Sequence, residues 1–193
     1  MRKSRFSILL TFFLLLSFFI SAGQFPAGAQ IQSATGAVIP QLLGQTGGAS
    51  IALTYEFVAD DLGYLYLGIG PRLYIFWVDF TAIPSPSLTL LGISEPLPDI
   101  IQSVSMFWDT AYVTLGKSGV AVIDTVTKEA PVVAGIYDTP GFARDLWISS
   151  GGDNVYTYVA DGETGLLVLN VSDPAAIVEV GRYNTEGSAR GVI

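Results

Sequence analysis

The sequence predicts an all-β chain: a β-propeller-like array of four-stranded blades, about three of them, forming an incomplete ring behind an N-terminal signal peptide. Three observations predict it. One stretch repeats at a fixed offset. Each repeat holds four short apolar runs parted by turn residues. No segment beyond the N-terminus keeps a long helical period.

The repeat comes first. AYVTLGKSGVAVIDTVTKEAPVVAGIYDTPGFARDLWI, from Ala111, aligns without a gap on TYVADGETGLLVLNVSDPAAIVEVGRYNTEGSARGVI, from Thr157. At an offset of 46 residues Tyr112 falls on Tyr158, Gly119 on Gly165, Asp124 on Asn170 and Gly135 on Gly181. Tyr137 falls on Tyr183, Ala143 on Ala189 and Arg144 on Arg190 at the same offset. A worn earlier copy, YLYLGIGPRLYIFWVDFTAIPSPSLTLLGI, puts Tyr66 46 residues before Tyr112 and Asp79 45 before Asp124. Gly92 lies 43 before Gly135, so the link after the third strand differs in length, and PSPSL (84–88) reads as a stretched link. SIALTYEFV, from Ser50, fills the first-strand slot of that copy.

The four runs of the best copy are ARDLWIS (143–149), VYTYVA (155–160), LLVLNV (166–171) and IVEVGRY (177–183). SGGDN, DGETG and SDPAA part them. β-Branched and aromatic runs bounded by Gly, Asn, Asp and Pro read as strands and hairpin turns. LLVLNV and VAVID are apolar on both faces, as strands covered by a neighbouring blade on each side must be. A flat meander or sandwich with accidental repetition does not account for the fixed offset. The blades are read at 50–98, 99–141 and 142–187, and SARGVI (188–193) reads as the opening strand of a further blade. Propellers close with typically ~4–8 blades. The expectation is therefore a fragment of a longer protein, or identical chains completing one ring. Exposed blade edges invite self-association in either case.

Ahead of the repeats, Arg2, Lys3 and Arg5 precede an apolar run from Phe6 to Ile20, and Ala27-Gly28-Ala29 stands before Gln30. Basic start, apolar middle and A-x-A end form a secretory signal peptide, residues 1–29. The run falls short of the ~20 residues that cross a bilayer as a helix; an uncleaved signal anchor is the other reading. Residues 30–49 are a Gly/Ala/Gln-rich linker. The address is export, extracellular or at the cell surface, with the periplasm as the alternative.

A cut after Ala29 leaves six basic against 17 acidic residues, a net charge of −11. So acidic a surface repels phosphate backbones and anionic lipid, which excludes nucleic acid as a partner and the membrane beyond the signal segment. With no Cys there are no disulfides. With no His the commonest general base and metal ligand are both missing, so Ser-His-Asp and Cys-His catalysis cannot be built from this chain.

GLLVLNVSDP, with GVAVIDTVTKEAP and LYIFWVDFTAIP, resembles the LVIVD repeat, a motif of bacterial and archaeal surface proteins. Its pattern is an aromatic-Val-Ala strand, Gly-Leu, an aliphatic strand ending in Asp, and a Pro-bearing link. The resemblance covers about Ser50 to Ile193; it is close in the third repeat, partial in the second, and departs in the first, where Arg72-Leu73-Tyr74 replaces the usual Gly. It implies a cell-surface propeller without general enzymatic activity, presenting loops to a protein or glycan partner or serving as a scaffold.

The candidate site residues are few. Arg144-Asp145, and Arg190 in the next blade, either line a central channel and bind an anion or brace one blade on another. Asp153, Asn154, Asp161 and Glu163 are acidic-turn residues of the kind that can take Ca²⁺. The aligned turn of the preceding repeat is Leu115-Gly116-Lys117, so they read as turn formers, and no metal or cofactor is assigned. Asp173-Pro174 ends a strand. Asn170-Val171-Ser172 fits the N-glycosylation pattern but sits in an apolar run. Trp77, Trp108, Trp147 and the nine Tyr could stack on sugars, yet at strand positions they read as core. No catalytic residue is assigned. The alternative of a different class is the propeller part of a secreted enzyme, hydrolase, lyase or quinoprotein-like, whose active site lies in missing blades or an appended domain.

Overall fold

The computed structural model describes residues 51–59, 62–79, 81 and 87–193. The signal peptide, the linker and the first three residues of PSPSL lie outside the described residues. Residues 48–193 form one compact unit. Its first sheet comprises β1 (Ile51–Ala59), β2 (Leu62–Ile69), β3 (Arg72–Asp79) and β4 (Ser87–Ile93). The second comprises β5 (Ser103–Phe107), β6 (Thr110–Thr114), β7 (Val120–Asp124) and β8 (Val132–Tyr137). The third comprises β9 (Asp145–Gly151), β10 (Asn154–Ala160), β11 (Leu166–Asn170) and β12 (Val178–Tyr183). Every sheet is an antiparallel meander in chain order. β5 lies against β1 on one side and β9 on the other, so the first strands of the sheets stand side by side. The chain is a β-propeller-like array of four-stranded blades, as its sequence predicts.

The two-sided apolar runs have a direct cause. Ala111, Val113, Ala121 and Ile123 of the second sheet pack on Tyr66, Leu73 and Ile75 of the first. Their alternate neighbours Tyr112, Val120 and Val122 pack on Leu146, Val159, Leu167 and Leu169 of the third. A middle blade thus buries both faces, and each fully buried Val, Leu or Ile side chain contributes about 1.5–3 kcal/mol.

The 46-residue register is a register of backbone hydrogen bonds. In the β6–β7 turn Leu115 N–H donates to Gly119 O at 2.7 Å; in the β10–β11 turn Asp161 N–H donates to Gly165 O at 2.8 Å. Gly119 and Gly165 have φ of +78° and +89°. A Cβ at either would strike the carbonyl oxygen of the paired tyrosine, Tyr137 or Tyr183, which ties glycine and tyrosine to the same spacing. Asp124 accepts the Val126 N–H at 2.8 Å, and Asn170 accepts the Ser172 N–H at 3.0 Å. Asp79 accepts the Thr81 N–H at 2.8 Å, so the three aligned residues close the same side-chain turn.

Each sheet also bulges between its third and fourth strands, and the first has a second irregularity between Phe57 and Ala59 of β1. The pairing shifts between Ile75 and Phe76, between Val122 and Ile123, and between Val168 and Leu169. The glycine beside each bulge is Gly92, Gly135 or Gly181. A Cβ on Gly92 would meet the Lys128 and Glu129 backbone of the second sheet's β7–β8 link. A Cβ on Gly135 would meet the Pro174 carbonyl. Pro174 opens a single 3-10 turn, Pro174–Ala176, which Asp173 caps by accepting the Ala175 N–H at 3.0 Å. Beside Gly181 the nearest atom to such a Cβ is Val168 Cβ at 3.7 Å.

Candidate functional site at the ends of the sheets

One end of the array carries the β2–β3, β6–β7 and β10–β11 turns and the links between sheets. Gly116 and Ala143 exchange two backbone hydrogen bonds of 3.1 and 2.9 Å, joining the second sheet to the start of the third. Gly162 and Ala189 repeat the pair at 3.2 and 2.8 Å. The segment read as an opening strand is thereby held at that position, although only the Ala189 bridge is formed.

The carboxylate of Asp145 accepts from Ser103 Oγ of β5 at 2.8 Å and from the Val192 N–H at 3.1 Å. It links three successive inner segments. Arg144 and Arg190 are exposed at this end, and the Arg144 guanidinium lies 4.8 Å from the centre of the Phe142 ring. The structure brings the Asp145 side chain into the hydrogen bonding between sheets, whereas Arg144 enters it through its carbonyl, which accepts from Thr114 Oγ1 at 3.2 Å.

Asp161 is buried. It accepts from Thr139 Oγ1 at 2.7 Å and from the Gly141 N–H at 2.8 Å, so it fastens the link between the second and third sheets to the β10–β11 turn. Burial pushes its carboxyl above the ordinary carboxylate range; the bonds from Thr139, Gly141 and Thr164 and the Arg182 charge oppose that rise. Asp153, Asn154 and Glu163 are exposed. Among the described residues no three acidic side chains gather where they could hold a metal ion.

The other end carries the β5–β6 and β9–β10 turns and the β7–β8 and β11–β12 links. Lys128 is buried there. Its ammonium pairs with Asp109 at 2.7 Å, donates to Thr125 O at 2.8 Å, and lies 5.1 and 5.8 Å from the ring centres of Tyr64 and Tyr66 in the first sheet. The Asp109 carbonyl accepts from both the N–H and the hydroxyl of Thr125, each at 2.9 Å. Tyr66 donates to Glu56 at 2.9 Å, and burial together with that carboxylate pushes its phenol far up. Burial also raises the Tyr112 phenol.

The tryptophans do not all behave as core. Trp77 is half-buried, edge-on to Tyr64 at 5.1 Å. Trp147 leans on Tyr158 at 5.6 Å and is 44% exposed. Trp108 is 80% exposed, because it lies in the β5–β6 turn and not in a strand. Its φ is +54°, and it is the one non-glycine residue at positive φ among those described. The β9–β10 turn holds Gly152-Asp153 where the β5–β6 turn holds Trp108-Asp109; the two lie 44 residues apart, off the 46-residue register, so the spacing of the repeat does not pair them.

Residues 140–185 match a family model described as the LVIVD repeat. No curated protein matches the chain. Among solved structures the chain resembles an engineered GH43 glycoside hydrolase with endo-xylanase and exo-arabinofuranosidase activity, at 14% identity and a TM-score of 0.43. The alignment covers 68% of this chain and 28% of that one.

Proposed function

We propose that this chain is an exported repeat module that binds or scaffolds and does not catalyse, working outside the cell or at its surface. One observation carries the reading: its buried charged groups are spent on bracing. Asp161 holds a link between sheets, and Lys128 joins the β5–β6 turn to the rings of the first sheet. Asp145, half-buried, ties together three inner segments. None is held free for a substrate. The LVIVD match over residues 140–185 and the basic-apolar-small order of residues 1–29 support the same reading.

The test is fractionation of cells expressing the full chain, with N-terminal sequencing of the recovered protein. The expected product lies outside the cytosol and begins at Gln30. Cytosolic protein that retains residues 1–29, or turnover of a glycoside or polysaccharide substrate by the purified chain, would sink the proposal.

A further inference from the structure

We propose that the Trp108 turn docks a cationic segment of a protein partner, with an Arg or Lys side chain stacked on the exposed indole. The inference rests on the binding-module reading above and names the partner's chemistry.

Three features converge on it. The first is the display of the ring. Trp108 is 80% exposed and Val126, in the adjoining loop, is 70% exposed. The two loops are tied together by the Thr125 bonds to the Asp109 carbonyl. The ring's neighbour is Phe107, tilted at 6.1 Å between centres, and that contact leaves most of the indole in water, so it gains little from burial within this sheet.

The second is the fixed backbone. A bulky residue at φ +54° is strained, and glycine serves at positive φ in the matching turn of the third sheet, where Gly152 has φ +62°. The strained turn is held from behind by the buried Lys128, through its ion pair with Asp109 and its place over Tyr64 and Tyr66. The ring is therefore presented on a pre-organised mount, which lowers the ordering cost of binding.

The third is charge. Asp109, Asp124, Glu129, Asp153 and Asp173 are exposed in the turns and links of this end, and Lys128, the one cation described in those segments, is buried and paired. The exposed cations of the loops, Lys117, Arg144 and Arg190, all stand at the opposite end. Tryptophan is the best aromatic partner for a cation, and a surrounding excess of carboxylates steers one toward it.

The test titrates the full chain with a short oligo-arginine peptide at physiological ionic strength, reading indole fluorescence and calorimetry, beside a Trp108→Gly variant. The variant is expected to keep or raise its melting temperature, since glycine relieves the turn. Its affinity for the peptide is expected to fall about fivefold or more. Equal affinity of the two chains would mean general charge attraction and would overturn the proposal, as would an absence of binding. Trp108-dependent binding of a neutral oligosaccharide or of phosphatidylcholine vesicles, without binding of oligo-arginine, would also overturn it. That last result would leave the binding-module reading standing, which turnover and fractionation test separately.

Discussion

Asp161 is a carboxylate whose burial outweighs its hydrogen bonds, and that has a sign. Its folded value lies above its ordinary one. Between the two, the folded chain holds a proton that the unfolded chain has released, so this residue's contribution to stability falls as pH rises through that window. Denaturant titrations from about pH 4 upward should show the decline, and Asp161→Asn should flatten it while losing about 1 kcal/mol at neutral pH, because an amide N–H would face a donor. At the other end, Asp109→Ala leaves the Lys128 ammonium buried with Thr125 O and two aromatic faces. A loss of about 2 kcal/mol is expected, with most of it recovered in the double variant Asp109→Ala/Lys128→Met, as a double-mutant cycle in urea would show. Trp108→Gly should gain about 1 kcal/mol by the same measurement. These residues were hard to read from the chain. Asp161 and Lys128 each align with an unlike residue one repeat away, Leu115 and Pro174, so the spacing that exposes the repeat hides the braces. Trp108 reads as one more aromatic in an apolar run until its turn is seen.

At the scale of strands and turns the sequence is far more legible. Tyr112 and Tyr158, Gly119 and Gly165, and Asp124 and Asn170 recur because the same hydrogen bonds recur around them. What the spacing does not tell is that Gly135 and Gly181, though aligned, stand in different surroundings. Gly135 touches the Pro174 backbone, whereas Gly181 has only Val168 near it. Gly135→Ala should therefore destabilise by about 2 kcal/mol or more through overpacking. Gly181→Ala should change stability by less than about 0.5 kcal/mol. Thermal unfolding of the two variants side by side checks the contrast, and equal losses would refute the account of the β8 contact.

At the scale of the molecule, two apolar clusters hold the three sheets, and only the middle sheet belongs to both. Stability in such an array is close to a sum of blade and interface contributions. Leu169→Ala, in the cluster between the second and third sheets, should cost about 2–5 kcal/mol. It should also speed amide exchange in β9–β12 more than in β2 and β3. Ile75→Ala, in the first cluster, should reverse that pattern. Uniform loss of protection in both variants would show one cooperative unit instead. The array itself was legible because periodicity survives at strand positions that face a neighbouring sheet, such as Ile123 in the first cluster and its counterpart Leu169 in the second. The partners across an interface were not, since contacts such as Lys128 on Tyr64 join positions with no fixed spacing.

The contact of Gly135 with Pro174 bears on how such a chain can be cut and recombined. A repeat excised at sheet boundaries parts the glycine from the backbone it accommodates, and its joints fall on interdigitated side chains. A unit running from 131 to 176 keeps both partners of that contact. Its joints then fall between β7 and β8 and between β11 and β12, where the ladder is made of main-chain groups that any sequence supplies. Duplication or grafting in that phase transplants the side-chain match intact, and foreign repeats spliced there should be inherited with the least repair.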